Sequence, residues 1–175
     1  LLDIGCGFGR NVSLFQLFTD DITCIDPSTE SINFVKKRFP DIKAFLFKPP
    51  IISLEEKFNI IVGCNSLYYI DSKVRFDQYF SNIINILCNK GIFIFSFLDA
   101  NHSLLKNSLR IDANIYEVQN DADQYKLRRG QKIYIPTNEI DIDSYPLIVL
   151  KKGIIRDEFN GNKRFLNVYM CQKID

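Results

Sequence analysis

The 175 residues contain a single histidine, His102. The five cysteines, Cys6, Cys24, Cys64, Cys88 and Cys171, include no C-x-x-C pair. With one histidine they cannot compose a Cys/His zinc cluster of the usual spacing, and no metal site is expected. An odd number of scattered cysteines suits reduced, buried thiols in a cytoplasmic protein better than a disulfide framework. An excess of charge of one sign is missing too: 22 basic residues stand against 21 acidic ones, a formal net charge of +1. No global field therefore recruits nucleic acid or an anionic membrane, although a local basic patch is compatible with these numbers. No apolar run reaches the ~18 residues a membrane span needs. The first residues also lack the basic leader and cleavage site of a signal peptide.

What is present is an ordinary globular composition, 46% hydrophobic and 25% charged, at a length that fits one domain. Leu1-Leu2-Asp3-Ile4 reads as the middle of a strand, so a part of the natural protein before that strand is expected to be missing here. The pattern predicts further strands over Ile22–Ile25, Ile42–Phe47, Phe58–Cys64 and Ile92–Leu98. Helices are predicted over Arg10–Phe18, Ser28–Phe39 and Lys73–Cys88 from their 3.6-residue apolar spacing. Ser28 is the expected N-cap of the second helix, and Gly91 the expected stop of the third. FNIIVGC, a continuous apolar run, is expected to be buried on both faces of a parallel sheet. The crossover from Lys48 to Lys57 is too short and proline-rich for a long helix. The order β-α-β-α-β-β-α-β implies an α/β fold with a doubly wound, mostly parallel sheet.

Beyond Leu98 the periodicity weakens. His102–Leu109 is expected to be helical, Tyr125–Pro136 to form a hairpin turning near Arg129-Gly130, and Thr137–Ser144 to form a short acidic helix. Leu147–Lys151 and Phe165–Gln172 read as two more strands around a turn at Asn160-Gly161-Asn162, the last strand antiparallel. The whole chain, 1–175, is read as one domain. Within it, 102–146 is an insertion covering the substrate side, with Tyr116, Tyr125 and Tyr134 interleaved among mixed charges.

The sharpest chemical signal is Asp3-Ile4-Gly5-Cys6-Gly7-Phe8-Gly9. A strand enters, glycines turn the chain, and a helix begins. Glycine permits positive φ and lets backbone touch a ligand with no Cβ between, and a helix start offers free N–H groups. The dinucleotide pattern G-x-G-x-x-G would need its third glycine at position 10, where Arg10 stands. That spacing disfavours a nicotinamide enzyme. Asp26, ending the second strand, is placed to accept ribose hydroxyls of an adenosine.

LLDIGCGFGRN resembles the first motif of the class I S-adenosylmethionine-dependent methyltransferases, an acid followed by G-x-G-x-G. CIDPSTESI resembles their second motif. FNIIVGCNSLYYI and NILCNKGIFIFSFL are similar to their fourth strand, next helix and fifth strand. The resemblance spans roughly residues 1 to 100. It implies S-adenosylmethionine as cofactor, with Gly5, Gly7 and Gly9 against its methionine part and Asp3 holding the loop and favouring its amino group. It further implies Asp26 on the ribose, Pro27 along the adenine, and Asn65 near the transferring methyl. Phe47-Lys48-Pro49 departs from the family, which often has an acid there to meet the adenine amino group.

The implied function is methyl transfer to a small molecule or metabolite; the alternative is a non-catalytic partner subunit of the same fold. Nucleic acid and membrane are not expected partners, and oligomeric state is not legible. His102, following the fifth strand, and Tyr68 are the candidate catalytic residues, His102 as a base and Tyr68 as a residue lining the pocket. Asn65-Ser66-Leu67-Tyr68 only faintly echoes N-P-P-Y, since both prolines are absent. Cys64 lacks the Pro-Cys pair of a pyrimidine-methylating nucleophile. Lys126, Arg128, Arg129 and Lys132 read as a solvated hairpin or as an attraction for an anionic substrate.

Overall fold

The computed structural model describes residues 1–99, 101–121, 127–136, 142–159 and 162–175. Among these residues, ten strands and three α-helices follow in chain order: β1 (Leu2–Ile4), α1 (Val12–Phe15), β2 (Thr23–Asp26), α2 (Thr29–Arg38), β3 (Lys43–Leu46), β4 (Phe58–Gly63), α3 (Lys73–Ile86), β5 (Leu87–Leu98), β6 (Ser108–Arg110), β7 (Ile115–Val118), β8 (Lys132–Tyr134), β9 (Leu147–Phe159) and β10 (Asn162–Lys173). Seven strands form one sheet in the order β3-β2-β1-β4-β5-β10-β9. The first five are parallel, and β10 runs antiparallel to both β5 and β9. Strand order reverses between β1 and β4. In open α/β sheets the crevice at such a switch point, at the carboxyl ends of the strands, is where ligands bind.

The two longer helices are set by local chemistry. Ser28 Oγ accepts the Ser31 N–H at 3.2 Å at the start of α2. Glu30 lies in its first turn and Lys36, Lys37 and Arg38 in its last, which complements the helix dipole. Ser72 caps α3 in the same way through the Arg75 N–H. Alternate strand residues feed two cores. Cys24 joins Val12, Ile32 and Val35 under α1 and α2, while its neighbour Ile25 joins Leu2, Ile61 and the α3 side chains. There Phe80 packs on Phe93 and Phe95 with ring centroids 5.4 and 5.3 Å apart. Right-handed crossovers that wind in opposite directions from β1 put their helices on opposite faces, hence the two clusters.

Several expected elements differ. The first helix is confined to Val12–Phe15, with Leu17 75% and Phe18 81% exposed, so its apolar spacing marks no buried face beyond Phe15. Gly91 does not stop α3: the chain passes from Ile86 straight into β5. Lys90 takes a φ of +60°, and a Cβ on Gly91 would stand 2.7 Å from the Cys88 carbonyl oxygen, so this glycine serves a bend within the strand. β4 is not buried on both faces throughout, since Ile60 stays 38% exposed. No helix lies between β3 and β4, as expected from the prolines.

The second sheet, β6-β7-β8, was not foreseen. Where a helix was expected over His102–Leu109, a 3-10 turn over Ser103–Asn107 leads into β6. A turn does form at Arg128–Gln131, with Gly130 at φ +82°. However, β8 pairs with β7, and residues 122–126 lie outside the described residues. Of the expected acidic helix, 137–141 lie outside them too, and Ile142–Ser144 is a 3-10 turn. The closing strands are far longer than expected, because the charged stretch after Leu150 continues in β9.

Candidate functional site

The glycine loop joins β1 to α1 at the carboxyl end of the sheet. Gly5, Gly7 and Gly9 have φ of +70°, +54° and +71°, a region that favours glycine. Their surroundings assign each a different reason. A Cβ on Gly5 would fall 2.2 Å from Ser66 Cβ. One on Gly9 would meet the Phe39 ring at 3.0 Å and Val35 at 3.2 Å. One on Gly7 would meet nothing within 4 Å. Gly5 and Gly9 are therefore fixed by packing inside the protein, and Gly7 faces open space.

Asp26 ties this loop to the start of α2. Its Oδ2 accepts the Gly7 N–H and its Oδ1 the Ser28 N–H, both at 2.8 Å. The Gly5 and Cys6 amides both donate to the Ile25 carbonyl, at 2.7 and 3.2 Å. The adjoining Pro27 is exposed. Beyond the ends of β2 and β3 lies a cleft of about 470 Å³, lined by Ile25, Phe45, Phe47, Lys48, Ile51 and Leu54 among others.

Asp3 is only 2% exposed, and its Oδ2 has no hydrogen-bond partner. Burial, and then the nearby Asp26 carboxylate, raise its pKa to about 7, with Arg10 opposing. A buried, unpartnered carboxylate oxygen costs more than a surface one, and such a group favours its neutral form. The neighbouring thiols are held neutral as well. Contact with Cys24 and then burial push Cys6 up, and burial pushes Cys64 up.

Across the crevice, the loop after β4 is pinned to both neighbouring strands. Asn65 takes a φ of +59°. Its N–H donates to Ser96 Oγ at 2.9 Å, and that hydroxyl donates to Asn65 Oδ1 at 3.4 Å. Ser66 Oγ donates to the Ile4 carbonyl at 2.7 Å. Ser66 and Ser96 are residues that sequence reasoning missed: no local motif marks them, and only the strand order brings them to the glycine loop and to Asn65.

The two weaker candidates are both buried, each 4% exposed. His102 Nδ1 accepts the Leu104 N–H at 3.1 Å, so that ring nitrogen caps the 3-10 turn. Burial, and then Arg164, lower its pKa against the pull of Asp99. Tyr68 OH accepts from Tyr69 OH at 3.4 Å, and its carbonyl accepts the Tyr134 N–H at 2.8 Å. That bond docks β8 just past the carboxyl end of β4, and the Tyr134 ring stacks on Phe76 at 4.4 Å. Arg128, Arg129 and Lys132 are exposed, while Lys126 and Tyr125 lie outside the described residues.

The family model of nodulation protein S matches residues 1–103. The chain belongs to the nodulation protein S family. Nodulation protein S of Azorhizobium caulinodans is 27% identical over 97 residues, which cover 54% of this chain and 47% of that protein. The chain thus spans about half the length of this curated relative. Among solved structures, a S-adenosylmethionine-dependent methyltransferase of Methanosarcina mazei superposes with a TM-score of 0.79 at 15% identity, over 99% of this chain and 91% of that one. The family's N-methyltransferase NodS of Bradyrhizobium japonicum, in complex with S-adenosyl-L-homocysteine, gives 0.69 at 17% identity, over 99% and 77%. A Clostridium acetobutylicum methyltransferase gives 0.73 at 18%, over 99% and 83%. The fold is that of the class I S-adenosylmethionine-dependent methyltransferases.

Proposed function

We propose that the protein transfers the methyl group of S-adenosylmethionine to a small-molecule acceptor. The observation that carries this reading is the unpartnered Oδ2 of buried Asp3 beneath the glycine loop. A ligand with a cationic amino-acid end supplies what that oxygen lacks, and open space at Gly7 lets such a ligand touch backbone. Gly5 and Gly9 hold the loop's shape. Asp26 still has lone pairs for ribose hydroxyls, because each of its oxygens accepts only one N–H. Pro27, and the cleft lined by Phe45 and Phe47, would take the adenine. Lys48 stands where an acid is usual, so backbone and packing, rather than a carboxylate, would recognise the base.

When bound, the cofactor supplies a sulfonium methyl whose leaving group is already activated by its charge. The protein is then left with alignment and exclusion of water. Asn65, locked by Ser96, would border the methyl. The described residues of the 102–146 segment would form the acceptor-side cover, a role supported by the docking of β8 on Tyr68. His102 serves as a cap, with its Nδ1 lone pair engaged, and is not assigned the base. A relative's description favours nitrogen as the acceptor atom. One solved neighbour in the family is an N-methyltransferase. An amine needs a base only to shed its proton. The five unpaired thiols fit a reducing, cytoplasmic setting.

The test is incubation with methyl-labelled S-adenosylmethionine and a fractionated cell extract. Label is expected in the small-molecule fraction, with formation of S-adenosylhomocysteine. Label confined to protein or nucleic acid would refute the substrate class. Binding of cofactor without any turnover would refute catalysis.

A further inference from the structure

Asp3 of β1 and Asp26 at the end of the neighbouring strand β2 are near enough for their charges to interact, and their situations differ. Asp26 is satisfied by two backbone N–H groups. Asp3 is 2% exposed, and its Oδ2 is the one buried side-chain oxygen or nitrogen among the described residues with no partner. The charged and titratable groups that act on it are Asp26 from β2, which disfavours a second negative charge, and Arg10 from the loop, which favours one. Arg10 is exposed and its field is screened by water. The thiols of Cys6 and Cys64 lie close enough to sense Asp3, and neither offers a positive charge. An ionised Asp3 would thus be a buried anion facing another anion with no direct counter-charge.

We propose that Asp3 is a neutral carboxylic acid in the ligand-free protein and a carboxylate in the complex, so that binding of the cofactor's cationic amino-acid end expels one proton to solvent. The balance is simple: the O–H bond of the Asp3 carboxyl breaks, the proton leaves to buffer, and the ligand ammonium replaces it as the compensating charge. This inference rests on the cofactor reading above. It makes cofactor affinity rise with pH through the region near neutrality, where an ordinary aspartate would leave it flat. The direction of the shift on Asp3 agrees.

The experiment is calorimetric titration with S-adenosylhomocysteine, whose amino-acid end is that of the cofactor and which carries no sulfonium charge. At about pH 6 it is run in two buffers of different ionisation enthalpy, then repeated toward about pH 8. Close to one proton should be released at the lower pH and a falling fraction at the higher, with affinity gaining up to about tenfold per pH unit below neutrality. In parallel, infrared difference spectra should show loss of a protonated-carboxyl band on ligand addition, absent in Asp3→Asn. This readout does not depend on the variant binding tightly. Binding with no proton exchange, a flat affinity and no infrared change would overturn the proposal and leave the cofactor reading standing. Failure to bind at any pH would overturn that reading, and the proposal with it.

Discussion

At the scale of single residues, the site is a set of compromises between fold and ligand, and these can be separated by mutation. Asp3 is the clearest case. Its pKa is raised in the folded protein to about 7, against roughly 4 in an unfolded chain. The neutral acid therefore contributes stability that is fully present below about pH 4 and lost as pH rises through about 7. Asp3→Asn keeps the shape and removes the penalty. Without ligand, the variant should unfold at a higher temperature than the parent at about pH 8 and at nearly the same temperature at about pH 4, a gain of at most roughly 4 kcal/mol. It should also lose cofactor affinity. Equal unfolding temperatures at both pH values would contradict the account. The glycines separate similarly. Gly5→Ala places a Cβ 2.2 Å from Ser66 Cβ and should destabilise the fold severely. Gly7→Val meets no protein atom within 4 Å of its Cβ. It should cost about 1–2 kcal/mol for the positive φ while abolishing cofactor binding. Thermal melts beside ligand titrations read both. An intact Gly5→Ala, or a Gly7→Val that still binds with parental affinity, would contradict the assignment.

At the scale of elements, the nearer the interacting residues lie in sequence, the more of the structure the sequence made legible. The glycine loop, Asp26 and the Ser28 cap fall within β1-α1-β2 and the start of α2, and local spacing was enough to read the turn, the strand end and the cap. The same local reading overextended α1, because Leu17 and Phe18 have helical spacing and yet stay exposed. It ended α3 with Gly91, whose tight packing against Cys88 belongs to a strand. It also cut β9 short at Lys151, because an edge strand tolerates charges that a buried one does not. Ser66 and Ser96 act across strands that are distant in sequence, and the pairing of β8 with β7 is chosen by the core beneath it. That core is shared. Phe76 of α3 stacks on Tyr134 of β8 at 4.4 Å and meets Phe97 of β5 edge-on at 5.6 Å. Phe76→Ala should cost roughly 3–5 kcal/mol, and hydrogen exchange should show β7, β8 and β5 losing protection together. Loss confined to the small sheet would mean that it folds as a separate unit.

At the scale of the whole molecule, a seven-stranded sheet sets two loops face to face where its strand order reverses: Gly5–Gly9 after β1 and Asn65–Tyr69 after β4. The +1 net charge provides no global field that attracts a polyanion. The third glycine of a dinucleotide site is absent, since Arg10 occupies its place, and an unpartnered acid lies beneath the loop. The central claim is thus that the crevice takes a cationic adenosyl amino acid and not a dinucleotide. Calorimetric titration of the full-length protein with S-adenosylmethionine, S-adenosylhomocysteine and NAD tests it most directly. The account predicts saturable binding of the first two at one site and no heat from NAD. Binding of NAD, or of neither adenosyl compound, would contradict it.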